Sequence, residues 1–235
     1  NIKKSDGLIK LRLCVFSLYY IFLIFLSLQL LGLDYTTAED PKIWFYQTAK
    51  WKLITCWFHL IYLVYIPICL YCDWSKLKRR TKNRHLRWLG QLRYWCFTAV
   101  LFPSTLFSDI LFWLLWNKDL NLITVPAVND FVPKWYQHCL HTVSLVVMVF
   151  DLMFLPRRRP KSFMPGITIL VAYITSYILV CYISLCRGEY LYPLLKTFNS
   201  PKIFVLCLYA YIGHIFYYTI QWFVIDFIWR PNQRF

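Results

Sequence analysis

Apolar stretches of about 20 residues recur six times along this chain, and no other feature limits its fold so severely. A helix of that length, rising 1.5 Å per residue, spans the roughly 30 Å hydrocarbon layer of a bilayer. The stretches run approximately from Leu13 to Gly32, Trp51 to Tyr71, Arg93 to Trp116, Tyr136 to Leu155, Gly166 to Cys186 and Ile203 to Trp229. One large soluble core would need polar residues at the period of surface positions, and these stretches offer none. Hydrophobic residues make up 59% of the chain and the mean hydropathy is +0.47, against about 45 to 50% apolar residues in soluble domains. The expected fold class is all-α: a polytopic membrane helix bundle, one six-span domain over residues 1–235. The first stretch follows a basic start, as in a signal peptide. It exceeds the usual apolar core of about 7 to 15 residues, and no small-residue cleavage site follows, so it reads as span one.

With six spans, the N-terminus, the second and fourth loops and the C-terminus share one side of the membrane. That side collects 18 of the 26 basic residues: Lys3, Lys4, Lys10 and Arg12, eight between residues 76 and 93, then Arg157, Arg158, Arg159 and Lys161, and finally Arg230 and Arg234. The positive-inside rule then places both termini in the cytoplasm. The net charge of +15 lies in short loops flanking apolar spans, not on a soluble basic face. Membrane lipids, and not nucleic acid, are the expected partners. The nine cysteines are odd in number and mostly lie inside apolar stretches, where they pack as small hydrophobes. No disulfide framework is expected.

Polar groups at membrane depth are costly and mark candidate sites. Thr55 and His59, four residues apart, share a helix face with Thr48 and Lys52. His138 and His141, three apart, share another. Spans two and four run in the same direction, and Thr55 and His141 both fall roughly 6 to 8 Å inside the non-cytoplasmic boundary. A hydroxyl beside an imidazole is the minimal set for nucleophilic acyl transfer, because the hydroxyl becomes a useful nucleophile once a base removes its proton. The structural alternative is a Thr bonded to its own i−4 carbonyl and a His that joins helices. Asp109, about 10 Å below the same surface, can orient His141 or pair elsewhere. Asp151 is structural, neutralised by residues 157–159. The histidines His59, His138, His141 and His214 lack ligand spacing, so no metal and no cofactor is expected.

Several motifs then fall in a recognisable order. Ala49-Lys50-Trp51-Lys52-Leu53-Ile54-Thr55 is similar to the [AG]-R-W-K-[YF]-[LM]-T run that opens span two in the androgen-induced-gene family. Phe102-Pro103 with Phe112-Trp113, Asn117-Lys118-Asp119-Leu120, the run from Pro133 through Gln137-His138-Cys139-Leu140-His141-Thr142, and Gly188-Glu189-Tyr190-Leu191-Tyr192-Pro193 resemble further family motifs in the same order. The chain thus resembles that family over nearly its whole length. The resemblance implies a six-span hydrolase of fatty acid esters of hydroxy fatty acids, with Thr55 as nucleophile and His141 as its catalytic histidine. Gln137 stands where the family usually has Asn, and Asp109 replaces a generally apolar position. Both changes bear on substrate preference more than on reaction type.

On that reading the partner is a lipid ester, with Thr55 forming an acyl intermediate and His141 serving as general base and then acid. Gln137, His138 and His59 are candidate oxyanion donors, and Lys52 or Lys134 a candidate site for a substrate carboxylate. The endoplasmic reticulum and the plasma membrane both suit such a protein. The alternative is a non-enzymatic multipass membrane protein, a transporter or regulatory partner, in which the same polar residues join helices or line a path.

Overall fold

The computed structural model describes residues 2–80, 83–125, 128 and 132–229. Among the basic residues counted above, Lys82, Arg230 and Arg234 lie outside the described residues, as do the side chains of Lys3, Lys4 and Lys42. Among the described residues, six helices are long and apolar enough to cross a membrane: α1 (Ile2–Gly32), α2 (Ile54–Leu77), α3 (Arg84–Lys118), α4 (Lys134–Phe154), α5 (Met164–Cys186) and α6 (Ser200–Trp229). The described residues contain no strand.

Helix α3 is the central element. Within its most apolar window 61% of residues are buried, against 11% in α6, so five helices surround it to different degrees. Phe97, Leu101 and Phe102 of α3 meet Phe16 and Leu23 of α1, Phe58, Tyr62 and Tyr65 of α2, Met148 of α4, Leu170 of α5, and Tyr218 and Trp222 of α6 in one core. The outer faces carry exposed apolar side chains such as Leu18, Val64, Leu114, Phe204 and Phe227. Apolar exposure on this scale is unfavourable in water and suits a lipid-facing surface.

Two helices contain π-helical turns, Cys96–Leu101 in α3 and Cys139–Val143 in α4. The first lies just before Pro103, which lacks an N–H and crowds the carbonyl four residues earlier. There the Phe102 N–H bonds the Phe97 carbonyl five residues back. The second turn carries His141, in keeping with the concentration of such bulges at functional sites.

At one end of the bundle a buried ionic cluster joins four helices. Asp73 of α2 pairs with Arg12 of α1 at 3.0 Å and Arg93 of α3 at 2.9 Å. Asp151 of α4 pairs with Arg157 at 2.8 Å, lies 3.6 Å from Arg12 and accepts a hydrogen bond from Tyr65. Asp151 thus has the structural setting expected of it, with Arg12 and Tyr65 as unforeseen partners. A buried ion pair adds little net stability, but removing one partner strands the other charge at a cost of roughly 3 to 5 kcal/mol.

At the opposite end the connections from α1 to α2, α3 to α4 and α5 to α6 form a cap. Tyr35, Ala38, Ile43, Tyr46, Ala49, Val128, Val132 and Leu191 pack there with Leu26 of α1 and Tyr136 of α4.

Span two differs from its sequence reading. Residues Lys50–Lys52 form a 3₁₀ turn, and Leu53 is extended (φ −72°, ψ 140°) before α2 begins at Ile54. Thr48 and Lys52 therefore do not continue the helix face of Thr55 and His59. The cationic second loop is also shorter than expected, because α3 begins at Arg84. His85 accordingly lies on a helix, its Nε2 2.9 Å from the Tyr71 hydroxyl.

Candidate active site

Thr55 is the second residue of α2, and this position decides what its hydroxyl can do. Elsewhere in the spans Ser27, Thr98, Thr168, Ser176 and Thr219 each donate their hydroxyl proton to the carbonyl four residues earlier, the usual fate of such groups. Four residues before Thr55 lies Trp51, beyond the break at Leu53, so that acceptor is lost. Thr55 Oγ1 has no hydrogen-bond partner among the described residues, and the residue is half-buried.

The same break exposes backbone donors. Leu53 provides no side-chain cap, so the N–H groups of the first turn need other acceptors. The Ile54 N–H donates to Tyr177 Oη at 3.2 Å, and that hydroxyl lies 2.7 Å from Tyr192 Oη. The Thr55 and Cys56 N–H groups find no acceptor among the described residues. They stand at the positive end of a 24-residue helix dipole.

Thr55, Cys56 and His59 of α2 line a cavity of about 150 Å³ with Leu23, Leu26 and Ser27 of α1, Phe112 and Trp116 of α3, and Gln137, Leu140 and His141 of α4. The cap closes it with Tyr35, Tyr46, Lys50, Leu53, Val132, Leu191 and Tyr192. His141 is buried and held on two sides. Its Nδ1–H donates to Asp109 Oδ1 at 2.8 Å, and its ring stacks on Phe112 with centroids 3.6 Å apart and planes 9° from parallel. Its Nε2 has no partner among the described residues. Ser144 Oγ lies 2.7 Å from Asp109 Oδ2 and 2.6 Å from the Leu140 carbonyl, so one proton serves two acceptors. Asp109, fully buried, fixes both the ring orientation and the tautomer of His141.

His59 donates through Nδ1–H to the Thr55 carbonyl at 2.7 Å, while its buried Nε2 has no partner among the described residues. Its only donor is thus spent, and a neutral His59 offers the cavity a lone pair and no N–H. Gln137 lines the cavity, half-buried.

Asp109 stands behind His141 and does not itself line the cavity, and three further sequence candidates also lie outside the lining. His138 is exposed and stacks on Trp113 at 4.6 Å, with Nδ1 3.3 Å from Thr142 Oγ1; the π turn separates it from the face of His141. Lys52 pairs with Glu189 across the cap and holds that carboxyl below the usual range. Lys134 is exposed at the start of α4. Among the described residues, the cation that does line the cavity is Lys50, which sequence reasoning missed. Two lysines flanking Trp51 look equivalent until the bend at Leu53 is known. Ser144 was missed too, although its spacing of three residues from His141 was visible. No group of three His, Cys, Asp or Glu side chains among the described residues forms a metal site.

Six spans with a mostly apolar cavity, set with a few polar groups, under a cap define a polytopic α-helical membrane protein. Its sequence matches the family described as FAR-17a/AIG1-like protein over residues 15–224. The chain belongs to that family. It is 28% identical over 171 residues to the human androgen-induced gene 1 protein, covering 69% of this chain and 70% of the relative. It is 25% identical over 175 residues to the mouse androgen-dependent TFPI-regulating protein, covering 74% and 75%. The Mesocricetus auratus protein of the same name is 25% identical over 203 residues, covering 86% and 84%. No solved structure matches the chain.

Proposed function

We propose that this protein is an ester hydrolase of the membrane that cleaves fatty acid esters of hydroxy fatty acids through an acyl-threonine intermediate. The observation that carries the reading is the free hydroxyl of Thr55 in the same cavity as the oriented imidazole of His141. Thr55 Oγ1 attacks the ester carbonyl as its proton passes to His141 Nε2. The tetrahedral intermediate collapses, the C–O bond to the hydroxy acid breaks, and the leaving alkoxide takes the proton back from His141. Water then attacks the acyl-threonine with His141 as base again, releasing the fatty acid and restoring the hydroxyl.

Developing charge on the carbonyl oxygen calls for preorganised donors. The unpaired Thr55 and Cys56 N–H groups and the Gln137 amide fill that role better than His59, whose one ring N–H is spent on the Thr55 carbonyl, or His138, which lies outside the cavity lining. Asp109 acts through His141 by stabilising the imidazolium, as a positioning residue. No metal or cofactor takes part in this scheme. A cavity of about 150 Å³ holds a group the size of benzene. Only the ester and its immediate neighbours fit, and the acyl chains extend toward lipid.

The charge bias further suggests that both termini are cytoplasmic and the site near the opposite face, in the endoplasmic reticulum or plasma membrane. The decisive experiment compares hydrolysis of a long-chain branched fatty ester by wild type, Thr55→Ala and His141→Ala in detergent or vesicles. Loss of turnover in both variants, with fluorophosphonate labelling lost in Thr55→Ala, is expected. Full activity in Thr55→Ala ends the nucleophile assignment.

A further inference from the structure

Lys50 is 5% exposed, a burial that lysine seldom tolerates without a counter-charge. Its ammonium donates to the Leu30 carbonyl at 3.1 Å and the Leu33 carbonyl at 2.8 Å, at the C-terminal end of α1. The third N–H makes the longest and weakest of the three bonds, 3.4 Å to Gln47 Oε1, a neutral acceptor that it shares with the Tyr35 N–H. No carboxylate among the described residues lies within 4 Å of Nζ; Asp34 acts on it from farther away. The end of a helix dipole supplies about half a negative charge, and the Tyr35 and Trp51 rings, with centroids 5.6 and 5.7 Å from Nζ, add cation–π attraction but no counter-charge. A full positive charge facing a mostly apolar cavity is therefore only partly compensated. Capping α1 does not require it, since glycine or water serves most helix ends.

We propose that Lys50 binds a free carboxylate carried by the substrate, so that the site selects lipid esters that are also acids over neutral esters. The third N–H is the handle, and the carboxylate completes the charge balance that the fold leaves open. This assignment rests on the hydrolase reading for its substrate but makes a separate claim about binding. It also distinguishes Lys50 from Lys52, whose charge is met by Glu189 outside the cavity.

The test is a ratio: kcat/KM for a fatty acid ester of a hydroxy fatty acid divided by kcat/KM for the same molecule with its free carboxylate methylated. Wild type is expected to favour the acid about tenfold or more, the worth of one charge-assisted hydrogen bond. Lys50→Met should bring the ratio near one, while Lys50→Arg and Lys52→Met retain it. If Lys50 only caps α1, its loss lowers both rates together and leaves the ratio unchanged, which overturns the proposal. A second arm needs no turnover: thermal stabilisation of the purified protein by a long-chain fatty acid against its methyl ester. Preference for the acid in wild type, lost in Lys50→Met, supports the site even if neither ester is cleaved, an outcome that would remove only the hydrolase reading. Equal stabilisation by both lipids in wild type refutes the Lys50 site.

Discussion

Replacing Asp109 separates orientation of His141 from stabilisation of its charge. In Asp109→Asn the side-chain oxygen can still accept from His141 Nδ1–H, and the amide can donate to Ser144 Oγ, whose own proton goes to the Leu140 carbonyl. Every hydrogen bond now at 2.6 to 2.8 Å keeps a partner, so the ring keeps its tautomer. What is lost is the carboxylate's extra attraction for imidazolium. A hydrogen bond to a charged group contributes about 1.5 to 3 kcal/mol and a neutral one about 1. The difference of roughly 1 to 2 kcal/mol corresponds to a fall of about 5- to 30-fold in kcat. Asp109→Ala removes the acceptor altogether, frees the ring and strands the Nδ1–H in a buried setting. Its loss should approach that of deleting the base, about 10² to 10⁴-fold. The assay is ester turnover at saturating substrate, with thermal unfolding in the same detergent to confirm that the variants are folded. The reasoning is refuted if folded Asp109→Ala turns over like wild type, or if Asn and Ala lose equal activity.

Three further outcomes follow from other parts of the molecule. Thr55→Ser should retain measurable turnover and acyl-enzyme formation, whereas Thr55→Ala loses both, as mass spectrometry of the trapped enzyme would reveal. Asp151→Asn strands Arg157 and weakens the hold on Arg12 in the buried cluster, which should cost roughly 3 to 5 kcal/mol and lower the unfolding temperature without altering the cavity. The preference for acidic over methylated substrate should depend on pH. Burial lowers the pKa of Lys50, so its charge is complete below that value and is lost as pH rises through it. The substrate ratio should therefore decline on the alkaline side at a pH below the ordinary lysine value of about 10.4; a ratio constant past that value would exclude Lys50 as its source.

Much of this architecture is written locally. The six spans follow from hydropathy over about 20 residues, because a helix in lipid satisfies its own backbone and needs no distant partner to do so. Thr55, His141 and Asp109 stood out by residue type, since polar groups are scarce and costly in such stretches, while Gln137 was marked only by its place in a family motif. The ordered motifs pointed to the family on the same basis. Conversely, Lys50 and Lys52, one residue to either side of Trp51, have opposite surroundings: one lines the cavity and the other meets Glu189 on the cap. That division arises from a 3₁₀ turn and one extended residue, Leu53, neither of which hydropathy registers. The π turn that separates His138 from His141 is equally silent in sequence. So is the choice of Asp109, 32 residues away, as the group that holds the imidazole. Sequence alone thus determined the solvent, the spans and the chemically capable residues, because each is a property of a short segment. The tertiary structure decided which of those residues meet, because hydrogen-bond geometry depends on how separate helices and their irregular turns are brought together.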